Sequence, residues 1–242
     1  MIDTLATERT SVTPTDSADM AYSPSIVDVT INERIFGIRA ADIENSRNSA
    51  SMLINKMYAW RGYSGSHHVG TDPNRITLTA SDKGEIIGTL SLGLDSSVGL
   101  LADQVFQDQI DPVRANGKVC ELIKFAIDPS VKSKAVLASL FHVAFIYARD
   151  LNDCDDVFIE VNPRHRRFYE SMLKFKVVSE ARDNPRVDAP AVLLRMNTEY
   201  GTSLIRQWAG QGDAAGNERS LYPYFFSERE EAGIINRLKQ IG

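Results

Sequence analysis

The stretch 118-KVCELIKFAID-128, and the string 161-VNPRHRRFYESMLKF-175 that follows it, decide the fold. From Lys118 to Phe175 the chain reads as strand, short loop, long helix, strand and short helix, with Leu137, Leu140, Phe141, Ala144 and Ala148 on one face of the long helix. A strand, a helical crossover and a second strand return the chain parallel to itself, so this order predicts two neighbouring parallel strands. Glu121 stands in the first of them among Cys120, Leu122 and Phe125. A carboxylate is costly in such an apolar strand unless it has a partner or a task.

Outward from this segment the chain alternates readable elements and turns. Residues 1–25 are rich in Thr, Ser, Asp and Pro and are read as a flexible N-terminal arm. VTINERIFGIRA reads as a strand, and Asp42 to Tyr58 as a helix with Leu53, Ile54, Met57 and Tyr58 on its apolar face. Trp60 to Asn74 is a long polar loop, a kind of segment that often carries function. RITLTAS and EIIGTLSLGL flank Asp82-Lys83-Gly84, a hairpin signal, and Leu100 to Arg114 reads as a helical excursion. KVVSE and AVLLRM complete the sheet. The expected organisation is an arm over 1–25, one main domain over 26–200 and a helical extension over 201–242, the last containing the Gly-rich GQGDAAGN and an amphipathic helix from Ser227.

Composition narrows the function classes. A chain of 242 residues that is 43% hydrophobic buries a substantial core, which favours one decorated domain over two. The formal net charge of -5 argues against nucleic acid as a partner, because phosphate affinity needs dispersed Lys and Arg. The two cysteines, Cys120 and Cys154, sit in apolar context without metal-ligand spacing, as reduced thiols of a cytoplasmic protein do. His67-His68 lies in the polar loop without a third ligand, and His142 reads as a satisfied core-edge histidine. No apolar run is long enough for a membrane span, and neither a metal nor a bound cofactor is expected.

Asn162 to Tyr169, with Leu173 and Phe175, resembles the last helix and return strand of the GNAT superfamily of N-acyltransferases. Cys120 to Phe125 resembles the acid-bearing strand of the acyl-homoserine lactone synthases, with Lys124 where their pattern has arginine. A fuller resemblance is to the bacterial N-acyl amino acid synthases. It includes Ile38-Arg39-Ala40, Gly88-Thr89-Leu90-Ser91-Leu92, Arg114 with Gly117, the Glu121 strand and the Asn162 to Tyr169 string, and spans roughly 31–200. It implies a mixed α/β fold with a central mixed sheet, flanking helices, and parallel strands splayed at an acyl-donor site.

Forming an amide from a thioester requires an amine that has lost its proton. A half-buried carboxylate with a raised pKa is suited to take it, and Glu121 is the candidate. The alternative is a structural ion pair with Lys124 or Arg114. Tyr169 resembles the tyrosine that many GNAT enzymes use to protonate the leaving thiolate, and packing beside Phe168 is the alternative. His165 is a possible proton shuttle. Backbone N–H groups around Phe125, Ala126 and Ile127, where the strands part, are expected to meet the oxyanion. Arg39, Arg114 and Lys124 are candidate acceptor ligands, although structural salt bridging is the commoner fate of a single arginine.

The donor is read from missing glycines. Coenzyme A pyrophosphate is normally wrapped by a glycine-containing loop, yet no glycine occurs between Gly117 and Gly201. Ser130, Lys132, Ser133 and Lys134 are expected to hold a single pantetheine phosphate instead, or to form an ordinary solvated turn. Arg164, Arg166, Arg167 and Lys174, with His165 and Lys176 nearby, predict a basic rim for an acidic acyl carrier protein. Leu137, Leu140, Phe141 and Phe145 are expected to line an acyl tunnel.

The resulting expectation is a long-chain N-acyl amino acid synthase. It takes acyl-phosphopantetheine from acyl carrier protein and an amino acid as acceptor, and its product associates with membrane. The alternatives are an acyl-homoserine lactone synthase, a coenzyme A dependent acetyltransferase, and a catalytically silent module that binds acyl carrier protein.

Overall fold

The architecture comes from a computed structural model that describes residues 25–31 and 33–241. The expected arm over 1–25 lies, Ser25 apart, outside the described residues. VTINERIFGIRA, read as one strand, is a hairpin of β1 (Val27–Ile31) and β2 (Arg34–Ala40), with Glu33 at φ 64 in its turn. Helix α1 (Glu44–Trp60) follows, then β3 (Arg75–Asp82) and β4 (Glu85–Leu94). Lys83 and Gly84, at φ 50 and 87, supply the left-handed pair that a tight hairpin turn needs. After α2 (Asp103–Arg114) come β5 (Val119–Ile127), α3 (Lys134–Ile146), β6 (Asp156–Val161) and α4 (Arg166–Leu173). The KVVSE segment contributes only the two-residue β7 (Lys176–Val177), and β8 (Arg182–Asn184) and β9 (Ala189–Asn197) follow. Helices α5 (Thr198–Trp208) and α6 (Glu228–Ile241) end the described chain.

Among the described residues the nine strands form one mixed sheet in the order β1-β2-β3-β4-β5-β6-β9-β7, with β8 beside β9. Only β5 and β6 run parallel, as the crossover helix between them requires. Strand alternation sorts the core. Cys120, Leu122, Val157 and Ile159 pack toward α3, whereas Val119, Phe158 and Leu193 pack with Phe106 and Ile110 of α2. Helix α3 is buried nearly all round, including Ala138, Ser139 and His142. An apolar helix of this kind needs cover on both sides, and residues beyond 200 provide it.

Those residues share the main core rather than forming a separate one. Leu221, Tyr222, Phe225, Phe226, Ile234 and Leu238 are all buried in it. Tyr222 donates its hydroxyl to Leu173 O at 2.9 Å, and Leu221 N donates to Met172 O at 2.9 Å. His142 Nδ1 accepts Phe226 N–H at 3.0 Å between the rings of Phe225 and Phe226. No helix among the described residues is long and apolar enough to cross a membrane.

Candidate active site

Strand β5 is hydrogen bonded to β4 along most of its length, from Leu94 opposite Cys120 to Gly88 opposite Ile127. To β6 it is paired only over Val119–Leu122, against Asp156–Ile159, after which the two strands part. Lys124, at φ 53, marks a bulge where the β4 register shifts. The bulge resets the alternation, so Leu122 faces α3 while Ala126 packs with Ala50, Leu53 and Met57 of α1.

A cleft of about 590 Å³ passes through the parted strands. Its walls include Leu122, Ile123, Phe125 and Ile127 of β5, Ile159 and Val161 of β6, Leu137 of α3 and Phe168 of α4. Tyr58, Tyr63, Ser66 and His67 close one side, and Leu101, Arg186, Pro190 and Ala191 bound another. The polar loop after α1 therefore forms part of the wall. It is pinned there by Asn55, which bonds both backbone groups of His67, and by Ser51, which accepts Val69 N–H.

Glu121 lines the cleft with 1% of its surface exposed. Its two carboxylate oxygens accept the Leu101 and Ala102 N–H groups at 2.8 and 3.1 Å. These donors lie at the approach to α2, where a helix start leaves N–H groups without internal acceptors. Burial pushes the Glu121 pKa up, while the two N–H groups and the Arg186 and Arg75 charges pull it back. The acid is thus fixed by backbone rather than by Lys124 or Arg114.

Tyr169 is buried in the same cleft, and desolvation raises its phenol well above the ordinary value, so it stays protonated at neutral pH. His165 also lines the cleft. Burial and the Arg61 and Arg164 charges lower its pKa, and its Nε2 accepts from Arg164 Nε at 3.2 Å. A neutral ring accepting at Nε2 carries its proton on Nδ1. Lys124 reaches the His68 carbonyl, and burial, reinforced by Arg75, lowers its pKa.

Of the backbone trio at the end of β5, Phe125 and Ile127 line the cleft and Ala126 does not. Asp128 N donates to Ile87 O of β4, so alternation turns the Ile127 N–H the other way, toward the side from which β6 has parted.

Other sequence candidates lie elsewhere. Arg114 is held by Asp95 at 2.7 Å, by Asp103 at 2.5 Å and by Asp111, an arrangement that fixes α2. Arg39 of β2 donates to Ser81 on β3 at 2.9 Å, three strands from Glu121. The β5–α3 loop places Ser130, Lys132 and Ser133 ahead of α3, and Lys134 turns to Arg219 O and the Tyr224 ring. Around α4, Arg164 lies over Tyr63, Arg166 pairs with Glu170, Arg167 is exposed and Lys174 pairs with Glu218.

Of the expected tunnel residues, only Leu137 faces the cleft. Leu140 packs beneath Gly88. Phe141 and Phe145 line a separate apolar cavity of about 30 Å³ that also touches Leu122 and Ala144. Phe125, Phe141 and Phe168, with centroids 5.1–6.4 Å apart, stand between the two spaces.

Several cleft residues were not singled out from the sequence. Arg186 clamps Glu160 through both carboxylate oxygens at 2.6 and 2.7 Å and reaches Leu101 O at 2.9 Å. Asn184 also bonds Glu160. Tyr58, its phenol pushed up to about 12 by burial, sits against His67 and Tyr63. The RVD and NPR context carries no motif for these roles. Among the described residues no cluster of His, Cys, Asp and Glu is placed to hold a metal.

A family model described as N-acyl amino acid synthase FeeM matches residues 49–197. Among solved structures, FeeM, an N-acyl amino acid synthase from uncultured soil microbes, is 23% identical with a TM-score of 0.62, over 70% of this chain and 94% of that one. The AHL synthase LasI is 14% identical with a TM-score of 0.50, over 68% of this chain and 90% of that one. At these identities the structural likeness establishes the fold. No curated protein matches the sequence.

Proposed function

The chain belongs to the N-acyl amino acid synthase FeeM family and is an acyltransferase; from that premise we propose that it moves a long acyl chain from an acyl carrier protein to the amino group of an amino acid. Glu121 accepts a proton from the amine, whose nitrogen attacks the thioester carbonyl beside the parted strands. The C–N bond forms, the Ile127 N–H and its neighbours stabilise the oxyanion, and the C–S bond breaks as Tyr169 protonates the thiolate.

The observation that carries the donor assignment is the β5–α3 loop. It holds no glycine, and the Asp128 carboxylate accepts the Ser130 N–H at 2.9 Å. A backbone donor already spent on a carboxylate is poorly placed for a pyrophosphate, and the anion beside it repels one. A carrier-bound pantetheine brings a single phosphate, and the cationic residues around α4 suit an acidic carrier.

The long chain follows the apolar walls past Leu122 and Leu137, and displacement of Phe141 joins the cleft to the small cavity beyond. The same phenylalanine trio favours a second reading, in which it stays in place and the donor is short. Initial rates with acyl carrier protein and coenzyme A thioesters of matched lengths, at low and high salt, test both points. The proposal expects the carrier thioesters to win, most at low salt, with rates climbing with chain length. Coenzyme A thioesters winning at every ionic strength overturns the donor assignment, and a flat length profile overturns the long chain.

A further inference from the structure

On the α2 side of Glu121 lies a second, polar recess of about 300 Å³, bounded by Arg75, Gly93, Gln104 and the carboxylates of Asp72, Asp103 and Glu121, of which Asp103 is paired with Arg114. Its floor is set by strand register. Arg75 of β3 is opposite Gly93 of β4, and Gly93 is opposite Glu121 of β5. Laterally paired residues share a face of the sheet, so a guanidinium and a carboxylate flank a glycine in one row, with their Cα atoms about 10 Å apart by two strand spacings.

Gly93 does not have a positive φ, so its backbone conformation does not call for glycine. What the glycine supplies is room. A Cβ there stands 3.0 Å from Glu121 Cγ and 3.1 Å from its Oε1.

Arg75 has donors to spare, which Arg186 and Arg114 do not. Its Nε is buried without a hydrogen-bond partner among the described residues, and its ion pair with Asp72 is long, at 3.8 Å. Arg186 is filled by Glu160 and Leu101 O, and Arg114 by its aspartates. Leu101 and Glu121 belong to the walls of both the recess and the cleft, so an amine held at Glu121 stands where the two spaces meet.

We propose that this recess is the acceptor subsite: Arg75 holds the α-carboxylate of the amino acid, the main chain of the ligand lies over Gly93, and the amine faces Glu121. The inference rests on the synthase reading and names the residue that selects an amino acid over a simple amine. A guanidinium suits this task because it meets a carboxylate through two parallel hydrogen bonds, which a carboxamide cannot match.

The test uses the full chain, one acyl thioester donor, a panel of L-amino acids and, for the best acceptor, its α-amide. The wild type is expected to favour the acid over the amide by at least about tenfold in kcat/KM, the loss typical of one charged hydrogen-bonded pair. Arg75→Gln is expected to erase the ratio of acid to amide kcat/KM while leaving the donor KM unchanged, and Arg75→Lys to restore part of it. Gly93→Val, which fills the recess without changing charge, is expected to raise the acceptor KM and not the donor KM. A preference that survives in Arg75→Gln, an equal loss for acid and amide, or an unchanged acceptor KM in Gly93→Val overturns the inference. Failure of the wild type to acylate any amine overturns instead the synthase reading on which it rests.

Discussion

The two halves of β5 differ by one neighbour. Val119–Leu122 is hydrogen bonded on both sides, to β4 and to β6, whereas Ile123–Ile127 has a strand partner only on the β4 side. The doubly paired half is where an acid is held at 1% exposure with its pKa raised. The singly paired half leaves backbone N–H groups and apolar side chains facing a cleft. Chemistry needs both conditions within a few residues, and parting two parallel strands supplies them without a loop.

The sharpest way to break this comparison is Glu121→Gln. Loss of a general base is expected to slow amide formation by ~10²–10⁴-fold. Folding stability should fall by about 1–3 kcal/mol, because the amide oxygen accepts one of the two N–H groups and the amide NH2 leaves the other without an acceptor. Because the folded pKa is raised above the ordinary glutamate value, the proton favours the folded state, and that contribution disappears as pH rises through the folded pKa. Activity follows the opposite course, falling as pH drops through the same value. Glu121→Gln should flatten the acid limb of the rate profile and remove this part of the stability profile; an unchanged acid limb removes Glu121 as the base.

The open half can be probed through its donor. Reversing Arg166 and Arg167 to Glu together is expected to raise the KM for acyl carrier protein about tenfold at low salt, leaving the KM for a free pantetheine thioester unchanged. An equal rise for both donors places the effect in the cleft rather than on the rim.

Ala144 lines the small cavity behind the phenylalanine trio. Ala144→Phe should shorten the preferred acyl chain, with about fourfold lost per excluded methylene, from roughly 0.8 kcal/mol each. A length profile that does not move shows that the chain does not use this cavity.

The smallest effect is expected outside β5. His142 is buried, and desolvation lowers its pKa, although Glu231, 3.4 Å away, works against this. A depressed folded pKa gives stability that is present above the unfolded value and lost as pH falls through the folded one. His142→Phe should weaken that acid dependence in denaturant titrations. It should cost about 1 kcal/mol at neutral pH through the lost bond from Phe226 N and leave kcat unchanged.

What the sequence made legible was local. The alternation around Glu121, the 3.6-residue pattern before Asp150 and the string from Asn162 to Leu173 each describe one element, and each element formed where its pattern lay. Cross-strand register was not legible. RITLTAS reads as a strand, but nothing in it says that Arg75 will stand in a row with Gly93 and Glu121. For the same reason the salt-bridge partners of Arg114 are not legible, since Asp95 and Asp103 reach it only through the path of α2. The face of α3 reads as one stripe because its second cover, Tyr222 to Phe226, comes from more than 70 residues downstream.

The central claim is that this chain makes N-acyl amino acids with Glu121 as the base. Mass spectrometry of organic extracts from cells expressing the wild type and Glu121→Gln at equal levels tests it most directly. The account predicts long-chain N-acyl amino acids in the wild-type extract and their near absence in the variant. Equal amounts in both, or no acylated amine in the wild type, contradicts it.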